Sequence, residues 1–267
     1  MKNLIVNDFK RLFKSLVLWT VIVGGLALLM LLLFPAFEDI YADLEALLEG
    51  YPQGFLEAFG LGEDGLVLEN IYGWFGVEGY LFVLLIGSVY AGLLGGSILS
   101  KEEDDQTIEF LLTRPITRSE IYLSKLLVIM VNLLILNAVV AAVLGVTFAT
   151  LDTMNWMLWA LFSGAPIILH MIFASTSLLI SVFVTKSRTV MSIALGLVVG
   201  LYVVDIISSL SESAENLKYI TPYEYVNAVT IVNDGRLEPL YLAISAAIIV
   251  VTLLLGWGFY RKKDITA

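Results

Sequence analysis

Asp205, inside the apolar run LVVGLYVVDIISSL, and His170, the only histidine of the chain, are the two side chains within apolar runs best suited to carry a proton or bind an ion. Ionisable groups at membrane depth are costly to keep there and commonly functional, so the pair would suit an ion-coupled carrier. Asp205 also lies only about a helical turn before Ser208 and Ser209, close enough to the end of its run to reach an outer interface. Asn132, Asn137 and Pro166 are further polar or kinking features in apolar runs, and they demand partners on neighbouring helices. Phosphate chemistry is unsupported: Gly60-Leu-Gly-Glu-Asp-Gly65 has the glycine spacing of a P-loop, but Leu66 and Val67 follow where Lys and Ser/Thr are required. With no cysteine and one histidine, disulfides, thiol chemistry and nearly every transition-metal site fall away. No catalytic set and no metal set is expected.

The elements that hold these residues are membrane helices. Apolar side chains make up 59% of the 267 residues and charged ones 15%, against roughly 45–50% and about 25% in soluble domains. Six runs are long enough to cross about 30 Å of hydrocarbon, near 16–34, 79–100, 126–149, 156–184, 189–210 and 239–260. The short connections 150–155 and 185–188 predict that the third, fourth and fifth spans are antiparallel neighbours. The first run is too long for a signal peptide and has no small-residue cleavage site after it, so it is expected to stay as an anchor. With the N-terminus inside, 13 of the 15 basic residues fall in cytoplasmic pieces, and only Lys218 and Arg236 lie outside. Both termini are therefore expected in the cytoplasm of a multi-pass plasma-membrane protein, with most of the acidity on the outer face.

Two segments on the inner side carry a pattern. In residues 1–15, Ile5, Phe9, Leu12 and Phe13, continued by Leu16, make one stripe of a 3.6-residue period, while Lys2, Lys10, Arg11 and Lys14 supply the polar remainder. A basic amphipathic helix in the interface plane is expected there. In residues 101–125, KEEDDQTIEFLLTRPITRSEIYLSK, Asp104 or Asp105 can cap a short helix whose apolar edge is Ile108, Leu111 and Leu112. Pro115 pushes Arg114 out of helical geometry, and Thr117 with Glu120 forms a capping box for the third span. Short helix, rigid elbow, long helix is a shape that transmits force, and the apolar edge needs a lipid or protein cover.

The acidic run, then Thr107, Glu109, Leu111, Leu112, Pro115, Thr117, Arg118 and Lys125, resembles the cytoplasmic loop of the permease subunits of type-2 ABC exporters. The likeness extends over essentially the whole chain, through the amphipathic start, six spans, a large first external loop and the connection between the last two spans. Gln106 departs from it, standing where that family usually has glycine. The resemblance implies an all-α membrane protein: one permease domain over 1–267, six transmembrane helices, an N-terminal amphipathic interfacial helix, a short cytoplasmic coupling helix in 101–125, and external loops at 35–78 and 211–238. It implies a translocation path coupled to a separate ABC ATPase subunit, which would bind the ATP and magnesium, with no cofactor on this chain. The coupling residues would be Glu102, Glu103, Thr107, Ile108, Glu109, Leu111, Leu112, Arg114, Pro115 and Arg118. A second permease subunit, identical or related, and membrane lipid are the other expected partners; nucleic acid is not.

Ser88, Gly92 and Gly96, reinforced by Gly87 and Gly95, form a ladder of small residues on the second span that lets another helix approach closely. In the external loops, Phe37, Ile40, Leu44, Leu47 and Leu48 recur at helical spacing, and ENLKYITPYEYVNAV is aromatic and polar, as in an interfacial belt. Two other classes compete with the exporter. An ion-coupled secondary transporter would use Asp205 and His170, but no internal repeat and no second acidic residue in a span supports a relay. A structural or sensory membrane protein would explain the spans but not the helix-elbow-helix segment.

Overall fold

The computed structural model describes residues 2–37, 50–52, 55–56, 70–106, 116–210 and 212–263, and among these there is helix and no strand. Six helices are long and apolar enough to span a membrane. The first, α1 (Lys2–Phe37), runs without interruption, about 54 Å at 1.5 Å per residue, well beyond the roughly 30 Å of a hydrocarbon core. The amphipathic 1–15 stretch is thus the opening of the first span's own helix and not a separate one. No glycine or proline precedes Gly24, and Leu4, Ile5, Phe9 and Leu12 pack against the core, so nothing ends the hydrogen-bond ladder.

The second helix, α2 (Ile71–Asp104), starts two turns earlier than the apolar run suggests. Asn70 caps it, its Oδ1 accepting from the Tyr72 N–H at 2.9 Å, and Ile71, Tyr72 and Trp74 are buried. Phe75–Gly79 is a wide π turn, possible because a Cβ at Gly79 would overlap the Phe75 ring. Then come α3 (Arg118–Thr150), α4 (Trp156–Phe183) and α5 (Ser187–Leu210). Asn155 caps α4, accepting from Met157 and Leu158 at 3.1 and 3.2 Å. After α5, residues 212–238 form two 3-10 turns and a short α6 (Ala228–Asp234), closed by Gly235 at φ 63°. The last span is α7 (Pro239–Lys262).

The centre of the bundle is the α2–α4 pair, where a Cβ at Gly95 would overlap the backbone carbonyl of Ala174. As the short connections predict, α3 packs on α4 and α4 on α5, but α5 makes its larger contact with α2, where Gly92 and Gly96 admit Ala194, Val198 and Val190. α5 and α7 leave most of their apolar surface exposed. The helical pattern expected from Phe37 through Leu48 lies almost wholly outside the described residues. The 212–238 segment does more than line an interface: Thr221, Tyr223, Tyr225 and Val226 are buried, with Tyr223 between Phe173 and Tyr202.

Candidate functional site

The end of the bundle that carries both termini gathers the two roots of the 107–115 segment. α2 runs down to it and stops at Asp104; Asp105 closes the helix and Gln106 turns away at φ 55°, the left-handed region that glycine favours. The chain returns at Ile116, and Thr117 restarts it with a capping box: the Glu120 N–H donates to Thr117 Oγ1 at 3.2 Å, and the Thr117 N–H donates to Glu120 Oε2 at 2.9 Å.

Between these roots sits a buried ion triad. Lys125 of α3 is 0% exposed; its Nζ donates to Asp8 of α1 at 2.7 Å and to Glu102 of α2, and these carboxylate residues are 1% and 4% exposed. The sequence sets this up: Asp8 lies one turn from both Leu4 and Leu12, on the face of α1 that packs inward, and only a buried cation makes a carboxylate tolerable there. The neighbouring residues connect outward. Glu103 accepts from Lys263 Nζ at 2.8 and 2.6 Å, and Arg118 donates to the Lys263 carbonyl, tying both roots to the end of α7. Asp104 Oδ2 accepts from the Ser187 N–H at 3.2 Å, tying the first root to the start of α5. Trp257 Nε1 donates to Ser119 Oγ at 3.2 Å, and a Cβ at Gly256 would crowd the Tyr122 hydroxyl. Every spanning helix but α4 is thereby fastened to one root or the other. Thr107, Ile108, Glu109, Leu111, Leu112, Arg114 and Pro115 lie outside the described residues.

The polar groups inside the bundle form struts. His170 is fully buried, with Asn137 Nδ2 at 3.1 Å from Nδ1 and the Val83 carbonyl at 3.2 Å from Nε2. An amide N–H can only donate and a carbonyl only accept, so the ring is the neutral tautomer with its proton on Nε2. It links α2, α3 and α4 and keeps no nitrogen for a relay. A Cβ at Gly87 would overlap this ring. Asn132 joins α3 to α2 by accepting from the Tyr90 hydroxyl at 3.2 Å. Ser88 is buried on the same helix, and Gly92 faces Ala194, Val198 and Ser177 of its own chain.

At the other end of the bundle, Asp205 Oδ1 is shielded from solvent and has no hydrogen-bond partner among the described residues, while the Thr221 side chain bonds to the carboxylate and Glu224 of the 212–238 segment is close enough to repel it. Burial holds the Glu224 carboxyl above its usual range; the Asn227 amide, donating at 2.8 Å, and Lys218 pull it partly back. Among the described residues no group of acidic, histidine or cysteine side chains could hold a metal ion.

The sequence model of the ABC-2 family transporter proteins matches residues 3–265. The chain belongs to that family. It is a permease of the ABC-2 type, a multi-pass membrane subunit of a transporter rather than its ATPase, and the family in general works with an ABC ATPase. No curated protein matches it. Within this permease, sequence reasoning named Glu102, Glu103, Arg118 and Lys125 but missed Asp8 and Lys263. The available signal for Asp8 was its spacing, one acidic residue amid Leu4, Leu12 and Leu16 on a single helical face.

Proposed function

We propose that this permease builds the translocation path of an ATP-driven exporter and that residues 101–125 couple it to a separate ATPase on the cytoplasmic side. The observation that carries the reading is the convergence of α1, α2, α3, α5 and α7 on the two roots of the 107–115 segment. A loop with no mechanical task has no reason to be fastened to five helices. In this reading Ile108, Leu111 and Leu112 enter a groove of the ATPase, with Thr107, Glu109 and Arg114 around them. Pro115 keeps the elbow from straightening. Glu102, Glu103 and Arg118 anchor the roots, so that a push on the segment reaches α1 through Lys125 and α7 through Lys263. Both termini are then cytoplasmic, in keeping with the basic residues on that side. Each chain offers one such segment, so a two-site ATPase pair would engage two permeases, identical or related.

Burying one leucine-sized anchor stabilises docking by roughly 1.5–3 kcal/mol, or about one to two orders of magnitude in affinity. Leu111→Asp or Leu112→Asp should therefore release the ATPase and uncouple ATP turnover from flux while the spans still insert. Retention of both the ATPase and normal flux would reduce the segment to an ordinary loop.

A further inference from the structure

A groove of about 480 Å³ runs between the first turns of α1 and the adjoining turns of α3. Ile5, Phe9 and Phe13 form one wall and Val128 and Val131 the other, with Lys10 on the rim. The lining is almost wholly apolar, and Val6, Phe13 and Val131 stand exposed in it. Beyond Val131 the exposed surface of α3 continues through Leu134 and Ile135 toward the middle of its span, the path an extended hydrocarbon chain would follow.

The charges around the groove have one sign. Lys10 and Lys14 lie one turn apart on α1, both exposed, and neither has a carboxylate partner among the described residues. Arg11 leans toward Asp8 at 3.8 Å, Asp8 itself is turned inward to Lys125, and Glu120 is held by its cap with Thr117. No described carboxylate therefore faces the rim. An apolar trough with an ammonium rim at the end of a membrane helix matches a lipid with a negative headgroup. A second copy seated there would bring two sets of lysines together, which disfavours self-association.

We propose that this groove is a binding site for one anionic phospholipid, its acyl chain against Phe9, Phe13, Val128 and Val131 and its phosphate met by Lys10 and Lys14. One wall of the site is the helix that carries Asp8 and the other the helix that carries Lys125, so the lipid braces the α1–α3 pair that the ion triad joins. The inference does not depend on the 107–115 segment docking to an ATPase.

The test is native mass spectrometry of the purified full chain with phosphatidylglycerol or phosphatidylcholine of identical acyl chains, with glycerol phosphate as the headgroup-only control. The expected result is one phosphatidylglycerol retained in preference to phosphatidylcholine and not displaced by glycerol phosphate. Lys10→Gln should weaken that preference about fivefold, the share of one lysine near a membrane surface. Val131→Trp, which fills the trough, should abolish retention of the bound lipid. Equal retention of the two lipids, displacement by glycerol phosphate, a preference unchanged in Lys10→Gln, or a dimer lost in Val131→Trp would each overturn the assignment. Should Val131→Trp fail to purify, the Lys10→Gln comparison decides alone.

Discussion

Removing the cation from the buried triad should separate stability from coupling. Lys125→Met keeps a long flexible side chain but leaves the Asp8 and Glu102 carboxylates facing one another in a site where all three residues are at most 4% exposed. Breaking a buried pair from one side costs about 3–5 kcal/mol, two to three and a half orders of magnitude in the folding equilibrium. Neutralising all three positions, Asp8→Asn, Glu102→Gln and Lys125→Met together, removes the uncompensated charge and should recover most of that loss, since buried ion pairs gain little over neutral packing. The link between α1 and the root of the 107–115 segment is lost in both proteins. Denaturant titration in mixed micelles, followed by tryptophan fluorescence, reads the first quantity; flux per ATP in vesicles containing the ATPase reads the second. The single variant should be unstable and uncoupled, the triple variant stable and still uncoupled. A wild-type midpoint for Lys125→Met would refute the burial argument. Normal coupling in the triple variant would show that the triad only packs.

Gln106→Gly should raise the denaturation midpoint by an amount equal to about 0.5–1 kcal/mol, because glycine relieves the left-handed backbone at φ 55° but adds chain entropy when unfolded; a lowered midpoint would contradict the cap geometry. Asp205→Asn should stabilise the protein, since it removes a charge from a largely desolvated carboxylate that Glu224 repels, and should lower flux if that charge serves transport. Flux unchanged across pH would leave Asp205 a structural residue. Burial raises the Glu224 carboxyl in the fold, so this group's contribution to stability is fully present when it is protonated and is lost as pH rises through its raised value. Glu224→Gln should accordingly match the wild type in acid and melt higher at neutral pH, and a gain confined to acid would refute the sign.

The membrane fold was legible because its signals are local. Six apolar runs became six spanning helices, and the Thr117–Glu120 pattern became a capping box with both of its hydrogen bonds. Boundaries were less legible: α1 absorbs the amphipathic stretch and α2 begins at Ile71, because Asn70 and the π turn extend a helix whose hydropathy alone suggests a later start. The site was legible only in part. Glu102, Arg118 and Lys125 stand in a recognisable segment, but Lys125 meets Asp8 across 117 positions, and no periodicity within one helix reports a contact of that range. The same holds for His170 and Asn137, flagged as polar groups needing partners without any indication that they partner each other. Gln106 shows the converse, a departure from the family's usual glycine at a position whose backbone still takes the glycine conformation.

The segment between Asp105 and Thr117 is expected to meet an ATPase on the side of the membrane that holds both termini. Because the chain has no native cysteine, single cysteines at positions 57 and 111 can be labelled with an impermeant photo-cross-linker in intact cells and in inside-out vesicles. The account predicts that position 57 reacts only from outside and that position 111 reacts only in inside-out vesicles and cross-links to the ATPase. A cross-link to the ATPase from position 57, or labelling of position 111 in intact cells, would contradict it.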